Sequence, residues 1–241
     1  MADTVMTPER FAQGMTFDEY VTFIGSPENL AREGFDVRRF SLARPRLDWS
    51  GYLRARHAKA KLTAEQTGAI RWLAAQPGGP AKILVISEEW SSDCRRDVPY
   101  LQRLADAGGL ELRVFTRDGQ RFPEGRPDPA DSPNADLMLE YMNTRDDGDF
   151  ASIPVAAFFD RDFDELYRYI ELPAIYHKDL LVEAIRAQHA AETQDQAKVR
   201  GTRDFFAMIE TPFYDVWADA AIDEIISALF ERSVLAGGPA S

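Results

Sequence analysis

The chain has 241 residues, 45% of them hydrophobic, which is enough to bury a core in one large domain or in a domain with appendages. Its formal net charge of −12 disfavours nucleic acid and anionic membrane surfaces as partners. No apolar run reaches the ~20 residues of a membrane span, the first residues lack a secretory signal, and the single cysteine excludes an internal disulfide. These features predict a cytoplasmic protein.

Residues 1–79 are predicted to form an N-terminal helical extension. Thr16 is a candidate N-cap for a helix over 17–24, and a second helix is predicted over 48–61. A capping box opens a third helix at 63, and Pro-Gly-Gly-Pro ends it at 77–80.

The pattern changes at residue 80 to strand, helix and strand. The run 83–86 is continuously apolar, as in a buried strand, and a helix is predicted over 92–107 before two glycines. Residues 110–116 alternate between apolar and polar side chains. A βαβ unit with parallel strands and a right-handed crossover follows from this order.

Residues 117–135 contain four prolines and are predicted to be an irregular insertion, followed by a short helix over 136–143. Strands are predicted over 155–159 and 165–170, paired as an antiparallel hairpin. The rest is predicted to be helical, with helices over 173–191, 202–210 and 211–234. We therefore divide the chain into the extension 1–79, a domain over 80–190 and a C-terminal helical extension over 191–241.

This order of elements resembles the thioredoxin fold: an α/β protein with a βαβ-α-ββ core, here with helical extensions at both termini. In that family a tryptophan closes the first core strand, Cys-x-x-Cys opens the next helix, and a proline follows five residues later. Trp90, Cys94 and Pro99 match those positions. Ile153-Pro154, before the strand at 155, matches the cis-proline of the family. Residues 165–171 resemble the last strand of bacterial members.

The chain departs from the family at the first cysteine position, where it has Ser91. The resemblance implies that this position carries the attacking thiolate, so Cys94 has no partner for an internal disulfide. We therefore expect a redox-inactive or slow protein that binds a thiol or peptide segment. The expected site is a groove formed by Trp90, Cys94 and Pro154. Further expected contacts at this groove are Ser92, Asp93 and Ile153.

Two other functions stay open from the sequence. In the first, Cys94 is the catalytic thiol of a monothiol thiol-disulfide oxidoreductase. Arg95, Arg96 and the helix dipole would favour its thiolate, whereas Asp93 would oppose it. In the second, the protein resembles a glutathione transferase and Ser91 hydrogen-bonds a bound thiolate. The acidic-Ser pair that such enzymes place after the cis-proline is not found in residues 160–171, and a helix N-cap is the simpler role for the serine.

The expected partner is a protein or a small thiol, and no cofactor is expected unless glutathione or another small thiol fills that role. His57, His177 and His189 are scattered without ligand spacing, so no metal is expected. The sequence leaves open whether the protein is an enzyme, and its oligomeric state.

Overall fold

A four-stranded mixed sheet forms the centre of the fold, which is described here from a computed structural model. The strands are β3 (Lys82–Ser87), β4 (Glu111–Thr116), β7 (Val155–Phe159) and β8 (Glu165–Ile170), in the spatial order β4-β3-β7-β8. Strands β3 and β4 are parallel, whereas β7 runs antiparallel to both β3 and β8. The predicted βαβ unit and the following hairpin are therefore confirmed. The structure describes residues 6–36, 41–123, 125–146, 148–188, 191–193, 195–196, 200, 203–204, 207 and 211–235.

The crossover helix α6 (Ser92–Gly108) links the two parallel strands and packs against the sheet. Ser91 is its N-cap, and Gly109 ends it in the left-handed conformation (φ 67°), which glycine adopts without a Cβ clash. Its apolar face is fully buried through Val98, Leu101 and Leu104. The first turn of α6 follows the C-terminal end of β3 after a short turn, and the Trp90–Cys94 motif lies at this junction.

Flanking helices cover the other side of α6. They are α4 (Ser50–Lys59) and α5 (Ala64–Ala74) from the N-terminal part, and α9 (Phe213–Leu235) from the C-terminal part. The capping box predicted at Thr63 and Gln66 is present, with hydrogen bonds in both directions. Capping of this kind stabilises a helix by ~1 kcal/mol. The architecture is therefore a thioredoxin-like α/β core with helical extensions.

The remaining elements are short. The N-terminal part also contains α1 (Pro8–Phe11), α2 (Phe17–Ile24), α3 (Pro27–Leu30), β1 (Gly34–Asp36) and β2 (Ser41–Ala43). After β4 come α7 (Ala135–Glu140), β5 (Asn143–Arg145), β6 (Gly148–Phe150) and, beyond β8, α8 (Lys178–Ala187).

Several details differ from the sequence-based expectations. The two-stranded hairpins β1–β2 and β5–β6 were not predicted, because three-residue strands are too short to show a periodic pattern. The helix predicted from 173 begins only at Lys178. The helix predicted over 202–210 lies largely outside the described residues. Among the helices that the structure describes, none combines the length and apolar character needed to cross a bilayer.

Candidate functional site

The one cysteine lies in the first turn of α6. Ser91 has extended backbone geometry, and its hydroxyl accepts a hydrogen bond from the Cys94 amide at 3.4 Å. This is the N-cap role that the sequence suggested as the simpler explanation of the serine. Cys94 itself is only 2% exposed. Cys94 therefore lies in the first turn of the helix that follows β3, but its thiol is closed off from solvent.

Burial dominates the chemistry of this thiol. It raises the pKa of Cys94 from 9.0 to about 12, and hydrogen bonds with Ser87, the Glu88 backbone and Ser91 offset only part of the increase. Asp93 raises the pKa slightly further, as its negative charge should. At neutral pH the group is a protonated thiol, whereas the nucleophile in thiol chemistry is the thiolate.

Arg95 does not support a thiolate, contrary to the expectation from sequence. Its Nη1 donates to the carbonyl oxygens of Glu89 at 2.7 Å and Trp90 at 2.8 Å. Its guanidinium lies 3.9 Å from the ring centroid of Trp49, which precedes α4. The charge is therefore directed towards the turn before α6.

Arg96 is also engaged elsewhere, in a second cluster of buried charges. It donates to Asp93 at 2.7 Å and to both oxygens of Asp97 at 2.7 and 2.8 Å. Asp97 also accepts from the Tyr169 hydroxyl at 2.8 Å, and Lys178 donates to Asp93 at 2.5 Å. Burial pushes the pKa of Asp93 upward, but Lys178 and Arg96 outweigh it and hold that pKa below its ordinary 3.8. The Asp93 carboxylate is thus already paired with two cations.

The C-terminal helix covers the first turn of α6 as well. The hydroxyl of Tyr214, on α9, donates to the carbonyl oxygen of Ser92, and both residues are buried. Of the residues expected at the groove, Ser92, Asp93 and Cys94 therefore face the protein interior.

Trp90 is the half-buried residue among those expected at the groove. Its Nε1 donates to Asp118 at 2.8 Å, and its ring lies 5.2 Å from that of Phe122, centroid to centroid. The guanidinium of Arg117 lies 5.1 Å from the Trp90 ring centroid and donates to the carbonyl oxygen of Ala151 at 2.9 Å. Arg117 thereby connects Trp90 with the loop that precedes Ile153.

The peptide bond between Ile153 and Pro154 is cis, as the resemblance implied. Both residues are buried, and the carbonyl oxygen of Pro154 accepts from the Glu171 amide at 2.7 Å. The structure therefore brings Trp90 and the 151–154 loop together through Arg117, while the Cys94 thiol is buried in the α6–β3 junction.

A buried ionic network beside Trp90 was not anticipated. Glu88 accepts from Arg32 at 2.9 Å, from Arg46, and from the Asp118 amide at 2.7 Å. Glu89 and Asp118 also accept from Arg46, at 3.2 and 3.0 Å. All five side chains are buried. Residues of the N-terminal part thus supply the two cations that pair with Glu88, whereas Asp118 is also paired with Arg117 at 2.7 Å.

The carboxylates of this network differ in their proton affinity. Burial opposes ionisation of Glu88, but Arg32 and Arg46 outweigh it and lower its pKa. Burial and the neighbouring Glu88 raise the pKa of both Glu89 and Asp118. The sequence showed only that two acidic residues follow a buried strand. Their partners lie 42 and 56 residues from Glu88, which no local pattern reveals.

A family model described as thioredoxin matches residues 47–122, which include β3, α6, β4 and the Trp90–Cys94 motif. The chain has a thioredoxin-like domain. No curated protein matches it. Among solved structures, a protein of unknown function from Pseudomonas aeruginosa has a TM-score of 0.54 at 14% identity, over 95% of this chain and 99% of its own. An HIV epitope scaffold has a TM-score of 0.50 at 15% identity, over 92% and 96%. At these identities the likeness concerns the fold alone.

Among the described residues, no three His, Cys, Asp or Glu side chains lie together in a way that could hold an ion.

Proposed function

We propose that this protein is a thioredoxin-like binding protein that carries out no thiol-disulfide exchange. The observation that carries the proposal is the state of Cys94, whose side chain is 2% exposed and whose pKa is raised to about 12 by burial. Exchange needs an accessible thiolate that attacks a disulfide sulfur. Ser91, at the position of the attacking thiol, is instead an N-cap.

The proposed binding surface comprises the half-buried residues Trp90, Ala151 and Ser152, beneath which lies the buried Arg117, itself paired with Asp118 at 2.7 Å. Trp90 offers a half-buried aromatic ring, and Arg117 lies between this ring and the Ala151 carbonyl. An aromatic ring beside an irregular backbone segment suits a short extended peptide, which contributes apolar contacts and main-chain hydrogen bonds. The ligand class that we propose is therefore an extended peptide segment, including a peptide thiol such as glutathione.

The redox part of the proposal is tested with a Ser91→Cys variant. Because the Ser91 hydroxyl lies within hydrogen-bond reach of the Cys94 thiol, the new thiol should form a disulfide with Cys94. With glutathione disulfide as oxidant, two thiols give one protein disulfide and two glutathiones, so the protein mass falls by about 2 Da. Insulin reduction by dithiothreitol should be accelerated by Ser91→Cys and not by the wild type or Cys94→Ser. Catalysis by the wild type that Cys94→Ser abolishes would contradict the proposal and support the monothiol oxidoreductase.

The binding part is tested by titration with glutathione and S-methylglutathione, followed by tryptophan fluorescence. Both peptides should bind, because the proposed contacts are to the ring and the backbone and not to the sulfur. Trp90→Phe should remove most of the fluorescence response. Trp72→Phe is the matched control, since Trp72 is 42% exposed on α5 and contacts Phe230 instead. No response to either peptide, or a response lost equally in both variants, would contradict binding at Trp90.

A further inference from the structure

Asp118 is fully buried and contacts two side chains of the proposed binding surface. Its Oδ2 accepts a hydrogen bond from the Trp90 indole Nε1 at 2.8 Å, and its Oδ1 accepts from Arg117 Nε at 2.7 Å. Arg117 in turn donates to the carbonyl oxygen of Ala151 at 2.9 Å. These three hydrogen bonds form a continuous chain from the Trp90 ring to the loop before β7.

This chain of hydrogen bonds connects two segments that are far apart in sequence. Trp90 belongs to the turn between β3 and α6, whereas Ala151 and Ser152 belong to the loop that follows β6. A peptide that contacts both the ring and the loop backbone needs them at a fixed separation. Asp118 and Arg117 are placed to set that separation.

The three side-chain donors that the structure describes around the Asp118 carboxyl group all require its ionised form. Besides Trp90 and Arg117, Arg46 donates to Oδ2 at 3.0 Å. An ionised carboxylate only accepts hydrogen bonds, so it satisfies all three donors. A protonated carboxyl group carries an O–H that would point at one of them. Protonation of Asp118 therefore breaks or weakens at least one of these contacts.

The charged side chains around Asp118 come from three segments. They are Glu88 and Glu89 from the turn after β3, Arg32 and Arg46 from the N-terminal part, and the neighbouring Arg117. Burial and the negative charge of Glu88 raise the pKa of Asp118 above its ordinary 3.8, and the two nearest arginines offset part of the increase. Asp118 therefore takes up a proton at a higher pH than an exposed aspartate does.

We propose that Asp118 is a positioning residue of the peptide-binding surface, which holds Trp90 and Arg117 in the binding arrangement only while it is ionised. Binding of an extended peptide is consequently strongest near neutral pH and weakens as Asp118 takes up a proton on acidification. This inference rests on the proposed function, because it concerns the same surface, and it adds the control of that surface by a proton.

The test compares Asp118→Asn with Glu89→Gln. The two carboxylates belong to the same network, both accept from Arg46, and both have pKa values raised chiefly by burial. Of the two, the Asp118 carboxylate contacts Trp90 and Arg117, and the Glu89 carboxylate contacts neither among the described residues. The two variants therefore remove the same charge from the network and differ in their contacts to the binding surface.

Binding of S-methylglutathione, which has no thiol to titrate, is measured by calorimetry from pH 8 to pH 4.5. The affinity of the wild type and of Glu89→Gln should fall towards the acid end by up to about tenfold, because hydrogen bonds to a charged group are lost. Asp118→Asn should bind about tenfold more weakly at pH 8 and change little with pH. A constant affinity in the wild type, or the same pH dependence in both variants, would overturn the inference.

A measurement without ligand separates this inference from the proposed function. The indole N–H proton signal of Trp90, assigned by its loss from the NMR spectrum of Trp90→Phe, should shift with pH in the wild type and Glu89→Gln but not in Asp118→Asn. If no protein binds the peptide while the signal behaves in this way, the proposed function fails and the positioning of Trp90 by Asp118 stands. A signal that does not shift in the wild type would overturn the inference even if the peptide binds. If Asp118→Asn does not fold, a shift in both remaining proteins supports the inference, and a shift lost in Glu89→Gln overturns it.

Discussion

The reactivity of Cys94 gives the most direct quantitative prediction. With a pKa of 9.0 about one thiol in ten is ionised at pH 8, whereas with the pKa of about 12 caused by burial the fraction is on the order of one in ten thousand. The more basic thiolate is intrinsically more nucleophilic, by 0.4–0.5 logarithmic units per pKa unit, which restores roughly 20-fold. The net effect is a reaction with a disulfide reagent about 50-fold slower than that of an unperturbed thiol, before limited access slows it further.

The assay uses 4,4′-dithiodipyridine in excess over the protein, with the same chain unfolded in guanidinium chloride as the reference thiol. In the folded protein the rate should keep rising with pH up to pH 10 without a plateau, because the thiol stays largely protonated throughout. A rate within fivefold of the reference at pH 8, or a plateau between pH 8 and 9, would refute the reasoning from burial.

Two further predictions concern the buried charges. Arg46→Met leaves its three carboxylate partners underpaired, and we expect a loss of about 3–5 kcal/mol in unfolding free energy at pH 8, roughly 10 °C in Tm. The loss should be smaller at pH 5, because Glu89 and Asp118 have raised pKa values and take up protons as the pH falls. Arg44→Met, an exposed control on the same segment, should change little, and a larger loss at pH 5 than at pH 8 would refute the assignment. Asp93→Asn should cost about 3 kcal/mol at pH 7 by urea unfolding. The pKa of Asp93 lies below 3.8 in the folded protein, so the stability that its carboxylate contributes is lost as the pH falls below 3.8 towards the folded-state pKa. A stability difference between wild type and Asp93→Asn that is as large at pH 3 as at pH 7 would argue against the pairing.

The core of the fold could be predicted because its signals are local. Strand β3 is a continuous apolar run, α6 begins at a capping serine and ends at a glycine, and Pro154 precedes a buried strand. Such signals depend on residues a few positions apart, so a single sequence contains them in full.

The environment of the site could not be predicted in the same way. Arg95 and Arg96 were expected to favour the thiolate because they follow Cys94 in sequence. On a helix, however, successive residues point in different directions, and their partners come from distant segments. The burial of Cys94 likewise depends on covering elements such as α9, whose docking position no local pattern specifies.

The thioredoxin-like strands depend on the N-terminal segment for the cations of the ionic network at the β3–α6 turn. Arg32 and Arg46 precede the thioredoxin-like strands in the chain, yet they neutralise the acidic residues at the end of β3. The N-terminal segment therefore carries the positive charges that balance the negative charge at the end of β3. A chain shortened to begin at residue 80 would keep every thioredoxin-like strand but leave these carboxylates without either cation. Expression of that fragment alone should therefore yield a protein that is much less stable than the full chain.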